Sequence, residues 1–167
     1  MSPRRRPRSW WLSFLERTNV TVTALTALAI LSTRSAGVVY FGAGGLMTAL
    51  SVKLVIKRII RQPRPTLGGK KTYGMPSTHT ATMAYYATFI TLAAIYLPLH
   101  PSLPALARAS PVVVLPWAAL VATSRVLLGH HTWAQIAAGC GCGVTFAGVW
   151  LLLWTRGLDE YGRWGEE

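Results

Sequence analysis

Four long stretches of this chain contain no Lys, Arg, Asp or Glu, and they constrain its fold more than any other feature. They cover residues 35–52, 72–107, 109–124 and 126–155. Only 13% of the residues are charged and 51% are hydrophobic, so these stretches suit helices that cross a bilayer, each of which needs about 20 residues. The sequence therefore predicts an all-α fold, a polytopic bundle of membrane helices.

We predict about five transmembrane helices, separated by turns and by loops rich in proline. The predicted helices cover residues 18–33, 37–56, 78–99, 111–128 and 133–154. The first is the shortest, and it can extend backwards through residues 11–15. Prolines end helices, and they are dense in the predicted loops at residues 63–75 and 98–108.

The predicted membrane domain, residues 18–155, lies between two polar ends. A basic juxtamembrane segment forms residues 1–17, and a polar tail forms residues 156–167. The formal net charge is +12, from 17 Lys and Arg against 5 Asp and Glu. Much of this charge lies in or beside the apolar segments, and no nucleic-acid-binding motif is present. We therefore expect the lipid bilayer and an anionic lipid as partners, with no nucleic acid and no obligate protein partner.

Three short polar clusters interrupt the apolar sequence at residues 57–65, 76–79 and 124–131. The first two flank the loop between the second and third predicted helices, and the third spans the turn between the fourth and fifth. Two crossings separate these connections, so all three clusters lie on the same membrane face. Together they supply cations, a hydroxyl group and two imidazoles, which are the groups needed to bind a phosphate and break a phosphoester bond.

The first two clusters favour phosphate binding. Arg64 offers a planar fork to phosphate oxygens, and Lys57 offers a mobile charge. Ser77 and Thr78 open a helix, whose free N–H groups attract anions, and His79 lies just inside its first turn. The other basic residues of this region, such as Lys53, Arg58 and Arg61, are interpreted as interfacial cations.

The third cluster supplies a candidate nucleophile. Arg125 borders two apolar stretches, where a cation is costly unless it has an anionic partner such as a phosphate. His131 is the predicted nucleophile, and Gln135 lies one helical turn later, where its amide can fix the imidazole tautomer. His130 is interpreted as an interfacial polar residue. Cys140 and Cys142, two apart on a helix, do not face each other.

These residues resemble the type 2 phosphatidic acid phosphatase (PAP2) superfamily of membrane lipid phosphatases. Its pattern is Lys, six residues and Arg-Pro; then Pro-Ser-Gly-His; then Ser-Arg, five residues, His, three residues and Asp. The matching residues here are Lys57, Arg64 and Pro65; Pro76, Ser77 and His79; and Ser124, Arg125 and His131. Thr78 replaces the Gly of this pattern, and Gln135 replaces its Asp. The sequence around Gln135 resembles the dolichyl-diphosphate phosphatase branch of the superfamily.

The resemblance implies an all-α PAP2/haloperoxidase-like core and a two-step reaction. Lys57, Arg64, Arg125 and the segment containing Ser77 and Thr78 would bind the phosphate, His131 would form a phosphohistidine, and His79 would act as acid and then base. A Gln at position 135 keeps a hydrogen bond but gives no charge to the imidazole. Glu16 and the C-terminal acids are the only carboxylates, which predicts an enzyme with no metal and no cofactor.

Several alternatives remain open from the sequence alone. The substrate is an isoprenoid diphosphate, such as dolichyl diphosphate, or a glycerolipid phosphate, such as phosphatidate. A non-catalytic protein that binds anionic lipid is a third reading. The branch resemblance implies the endoplasmic reticulum with the site facing the lumen, whereas the positive-inside rule places the basic N-terminus and the site in the cytosol.

Overall fold

A computed structural model describes residues 10–65, 72–98 and 105–158, and these parts of the chain are helical with no strand. Most of the predicted terminal segments, 1–17 and 156–167, and parts of both predicted loops lie outside these residues. Seven α-helices are described: α1 Trp10–Glu16, α2 Thr18–Thr33, α3 Ala36–Leu50, α4 Lys57–Ile60, α5 Thr78–Tyr96, α6 Pro111–Leu127 and α7 Trp133–Leu153. Two π-helical stretches, Ser51–Ile56 and Trp154–Leu158, and a 3-10 helix, Ala105–Ala109, complete the described secondary structure.

The predicted membrane helices are present, with small differences at their ends. α3, the first π-helical stretch and α4 form one helix over Ala36–Ile60, and a second long helix covers Trp133–Gly157; both are long and apolar enough to cross a membrane. Val20–Thr33 and Pro111–Leu127 are shorter apolar helices. α1 is separate from α2 instead of extending it. The observed architecture is a polytopic helical membrane bundle, as the sequence predicts.

α5 lies at the centre of the bundle. It contacts α7, α6 and α3, while α2 packs against α3 and α1 packs against α6. Its largest buried cluster joins α5 to α7 through Tyr85, Phe89, Ala147 and Leu151. Because α5 begins at one polar cluster and α7 begins just after another, their packing brings those two clusters to the same end of the bundle.

Two glycines of α7 allow its close approach to α5. A Cβ atom at Gly143 would lie 2.2 Å from the carbonyl oxygen of Ala81, and one at Gly139 would lie 2.8 Å from that of Ser77. Both positions exclude a side chain, so the small residues let the two backbones come together. The contact places the first turn of α5 directly beside the first turns of α7.

Local sequence fixes where the polar clusters leave or enter the helices. α4 ends at Ile60, and Arg61 caps it with a left-handed backbone, φ 53°; residues 61–65 have no regular secondary structure. Ser77 caps α5 by accepting a hydrogen bond from the backbone N–H of Thr80. Thr132 caps α7 in a capping box with Gln135. Arg64 therefore lies in a loop, as the proline before it predicts.

Candidate active site

The three polar clusters meet around one cavity of about 650 Å³. Its lining residues are Lys53, Leu54, Lys57, Arg58, Arg64, Thr72, Tyr73, Thr78, His79 and His131. The structure thus brings together five of the residues singled out from the sequence: Lys57, Arg64, Thr78, His79 and His131. Ser77, Arg125 and Gln135 do not line the cavity; they lie behind it.

His131 has a defined tautomer because its two ring nitrogens have different partners. Nη1 of Arg64 lies 2.9 Å from Nε2 of His131, and a guanidinium can only donate, so Nε2 carries a lone pair. Nδ1 lies 3.0 Å from Oε1 of Gln135, which accepts, so Nδ1 carries the proton. A neutral imidazole with an unprotonated Nε2 at the cavity is the form that can attack an electrophile.

Two main-chain groups and the side chain of Gln62 hold the Gln135 amide in one orientation. Its Nε2 donates to the carbonyl oxygen of Pro63 at 3.0 Å and to Oε1 of Gln62 at 3.1 Å. Its Oε1 accepts from the backbone N–H of Thr132 at 3.4 Å. The backbone carbonyl of Pro63 can only accept a hydrogen bond, and the backbone N–H of Thr132 can only donate one. The Gln135 amide therefore cannot be flipped, and its oxygen must face His131. This arrangement stabilises the Nδ1–H tautomer without a carboxylate.

Burial and nearby cations keep His131 neutral. The side chain is 4% exposed. Desolvation, the largest cause, and the positive charge of Arg64 together lower its pKa from 6.5 to about 3, while the hydrogen bond that Nδ1 donates to Gln135 acts in the opposite direction. The imidazole therefore stays unprotonated, and able to act as a nucleophile, throughout the neutral pH range.

Arg64 and Lys57 also position the short segment that follows the loop. Nε of Arg64 donates to the backbone oxygen and to Oγ1 of Thr72, both at 3.1 Å, and Nη1 donates to the backbone oxygen of His130 at 3.2 Å. Nζ of Lys57 donates to the backbone oxygen of Tyr73 at 3.2 Å, although Lys57 is only 7% exposed. Two cations are thus held at the cavity beside His131.

Ser77 and Arg125 occupy buried positions. Oγ of Ser77 accepts from Oγ1 of Thr80 at 3.0 Å, and its backbone N–H donates to the carbonyl oxygen of Gln135 at 3.1 Å. Arg125 is 1% exposed, and its Nη2 donates to the backbone oxygen of Leu15 in α1. The backbone N–H groups of residues 130 and 131 donate to the Arg125 carbonyl oxygen at 3.0 and 3.3 Å. In these contacts Arg125 supports the loop that carries His131.

Sequence reasoning gave no site role to Lys53, Arg58 or Gln62. Lys53 and Arg58 line the cavity, although they were interpreted as interfacial cations. The spacing of Lys53 and Lys57, four residues apart on one helix, was the available signal. Gln62 gave no comparable signal, because its contact with Gln135 joins positions far apart in the chain.

The described part of the chain has no cluster of metal-binding side chains. No group of three or more His, Cys, Asp or Glu side chains lies close enough there to hold an ion. The charges at the cavity are instead positive, and the sequence from Arg17 to Leu158 contains no carboxylate. The cavity therefore suits an anionic ligand, held by Lys and Arg side chains.

Curated proteins with related sequences are named as phosphatases. Dolichyldiphosphatase 1 of Mus musculus is 36% identical over 121 residues, 66% of this chain and 50% of that protein. Dolichyldiphosphatase 1 of Dictyostelium discoideum is 32% identical over 120 residues, 70% and 50% of the two chains. Lipid phosphate phosphatase epsilon 1, chloroplastic, of Arabidopsis thaliana is 26% identical over 132 residues, 79% and 46%.

The chain spans about half the length of the curated relatives that it matches. No solved structure shows a significant match to it. The profile of the PAP2 superfamily, in contrast, matches residues 4–158, a range that includes every helix described above and the whole cavity. With this match and with Lys57, Arg64, His79 and His131 at one cavity, the chain belongs to the PAP2 superfamily.

Proposed function

We propose that this protein is a membrane lipid phosphatase that converts a polyprenyl diphosphate of the dolichyl type into the monophosphate. The reaction needs no metal and passes through a phosphohistidine on His131. Such a reaction would return a lipid carrier to use in glycosylation. The names of the 36% identical relatives support this substrate.

One observation carries the proposal. Nε2 of His131 has a lone pair at the cavity, and its tautomer is fixed by the contacts with Arg64 at 2.9 Å and Gln135 at 3.0 Å. A protein that merely binds anionic lipid needs cations, but it has no need of a buried neutral imidazole held in one tautomer. The arrangement favours nucleophilic catalysis over simple binding.

The proposed first step is an in-line attack on the terminal phosphorus. A phosphate oxygen that accepts from Arg64 would release Nε2 of His131, which then forms the P–N bond. The bond between phosphorus and the bridging oxygen breaks, and His79, which also lines the cavity, gives its proton to the leaving lipid monophosphate. Lys57 and Arg64 offset the charge of the transferred group.

The second step returns the protein to its starting state. His79, now a base, takes a proton from water while the water oxygen attacks phosphorus. The P–N bond breaks, inorganic phosphate leaves, and Nε2 regains its lone pair. Ser77, Thr78 and Arg125 are proposed to complete the phosphate site: Thr78 lines the cavity, and Ser77 and Arg125 act from the buried layer behind it.

We infer that the protein lies in the endoplasmic reticulum with its site facing the lumen, as the branch resemblance implies. Thr72 lines the cavity and is exposed, so it can report the sidedness. A Thr72→Cys change, made with Cys140→Ala and Cys142→Ala, should react with a membrane-impermeant maleimide only after sealed microsomes are opened. Labelling of intact microsomes would place the site in the cytosol.

The first experiment is an assay of the purified protein in detergent. Dolichyl diphosphate and phosphatidate are supplied separately in the presence of EDTA, with the His131→Ala variant alongside. We expect phosphate release that prefers the diphosphate, survives EDTA and disappears in the variant. Release that requires a divalent metal would contradict the proposed mechanism.

The alternative is a broader lipid monophosphate phosphatase that acts on phosphatidate or related lipids. The name of the Arabidopsis relative, which is 26% identical, favours it. A preference for phosphatidate in the same assay would support this alternative and keep the role of His131. No release from either lipid would support the non-catalytic reading, in which the cavity only binds anionic lipid.

A further inference from the structure

The cavity holds more positive charge than one phosphate group requires. A phosphate monoester carries roughly −1.5 to −2 charges at neutral pH. Lys57 and Arg64, the two cations beside the neutral His131, already supply two positive charges. Lys53 and Arg58 line the same cavity and supply two more.

Nothing in the described structure neutralises this second pair. The sequence has no carboxylate between Arg17 and Leu158. Neither the Lys53 nor the Arg58 side chain hydrogen-bonds to any residue within 10–65, 72–98 and 105–158, and both are exposed. By contrast, Lys57 donates a hydrogen bond to the backbone oxygen of residue 73, and Arg64 donates one to that of residue 72.

The helix that carries the second pair changes geometry at this point. Ser51–Ile56 is π-helical and leads directly into Lys57–Ile60. Lys53 lies in the π-helical stretch, one turn before Lys57, and Arg58 follows Lys57. Local π-helical turns occur often at functional sites; this one carries Lys53, and the α-helical turn that follows it carries Lys57 and Arg58.

The apolar side of the cavity lies next to the second pair. Leu54, adjacent to Lys53, lines the cavity and is 44% exposed. Beyond it, Val55 is 53% exposed and Ile59 is 74% exposed, on a helix long enough to cross a membrane. A lipid whose headgroup enters here can leave its tail against this apolar surface.

We propose that Lys53 and Arg58 form a second phosphate subsite, which binds the lipid-side phosphate of a diphosphate while Lys57 and Arg64 hold the phosphate attacked by His131. The subsite rests on the proposed function and deepens it by naming the residues that select a diphosphate over a monophosphate. It would hold the leaving phosphate as the bond to the transferred phosphorus breaks.

The test measures binding of inorganic pyrophosphate and inorganic phosphate by calorimetry. The full chain in detergent carries His131→Ala, so that no turnover occurs. Adding Lys53→Gln or Arg58→Gln should weaken pyrophosphate binding about tenfold each, the size of a lost charge-assisted hydrogen bond. Phosphate binding should change less than about twofold. Arg61→Gln, which removes a neighbouring cation that does not line the cavity, should change neither.

Turnover provides the second measurement. In the protein with His131 intact, Lys53→Gln and Arg58→Gln should lower kcat/KM for the diphosphate about tenfold relative to that for a monophosphate with the same tail. Equal losses for both substrates, or unchanged pyrophosphate binding, would overturn the subsite. If Lys53→Gln and Arg58→Gln unfold at the same temperature as Arg61→Gln, misfolding is excluded as the cause of their lower kcat/KM.

The subsite and the proposed function can fail separately. If the protein hydrolyses the diphosphate but both variants bind pyrophosphate normally, the function stands and the subsite is wrong. If it prefers phosphatidate but the variants lose pyrophosphate binding selectively, the subsite stands and the polyprenyl diphosphate is the wrong substrate.

Discussion

Arg64 donates through Nη1 to Nε2 of His131 over 2.9 Å, so the nitrogen proposed to attack phosphorus contacts a cation that is proposed to bind the phosphate. The contact lowers the pKa of His131 in addition to the effect of burial. It also places Arg64 where a phosphate oxygen can take over its N–H. In the proposed mechanism, this one side chain adds to the effect of burial on the pKa of the nucleophile and guides the phosphate toward it.

Replacing Arg64 should raise the pKa of His131. In Arg64→Gln the nearby positive charge is lost while burial remains, so the pKa should rise from about 3 but stay below 6.5. An NMR titration of the His131 ring checks this, with Arg61→Gln as the control. kcat/KM should fall about 10²- to 10³-fold, as for loss of one transition-state donor. An unchanged pKa would refute the electrostatic role of Arg64.

The pKa of His131 also predicts a stability change with pH. The folded value is about 3 against 6.5 for the ordinary imidazole, so below about pH 6.5 the unfolded chain binds a proton that the folded chain does not. Stability should therefore decrease as pH falls from 6.5 toward 3. His131→Gln should show a smaller decrease over this range in thermal unfolding, and an equal decrease would mean that other groups cause it.

The proposed role of His79 can be distinguished from that of His131 by trapping the phosphorylated protein. Loss of a general acid and base costs about 10²- to 10⁴-fold, so His79→Ala should release phosphate that much more slowly. With an aryl phosphate, whose leaving group needs no proton, His79→Ala should accumulate phosphohistidine because water is no longer activated. Acid-labile label on the protein measures it, and His131→Ala, the control, should carry none.

Gln135 should perform better than an acid at the same position. Gln135→Glu keeps an oxygen that accepts from Nδ1 of His131. It also replaces the amide nitrogen, which donates to the carbonyl oxygen of Pro63 at 3.0 Å, with an oxygen that repels this carbonyl. We expect kcat of Gln135→Glu to be about tenfold below that of the unmodified protein. For Gln135→Leu, which no longer fixes the His131 tautomer, kcat should be about 10²- to 10⁴-fold lower. A Glu variant faster than the unmodified protein would show that charge matters more than the amide.

The sequence predicts the helices better than it predicts the contacts behind the site. Proline, serine and arginine mark the helix ends, so α2 was predicted at its observed bounds, and α5 and α6 start where expected. The π-helical turn and the separate α1 were not predicted, since nothing local distinguishes them from continuous helix. The hydrogen bond of Gln135 to Gln62 joins residues 73 positions apart, and only tertiary packing reveals such a pair.

Gly143 should be intolerant of even one added carbon. Its Cβ would lie 2.2 Å from the carbonyl oxygen of Ala81, so Gly143→Ala must push α7 away from α5 and should lower the free energy of unfolding by about 1–3 kcal/mol. Because α5 carries His79 and the loop before α7 carries His131, activity should fall as well. Gly141→Ala and Gly148→Ala, where an added Cβ has no atom of another helix within 4 Å, should leave activity unchanged and should not lower stability. Thermal unfolding in detergent and the phosphatase assay measure the difference, and equal behaviour of the three variants would mean that the two helices are not held this closely.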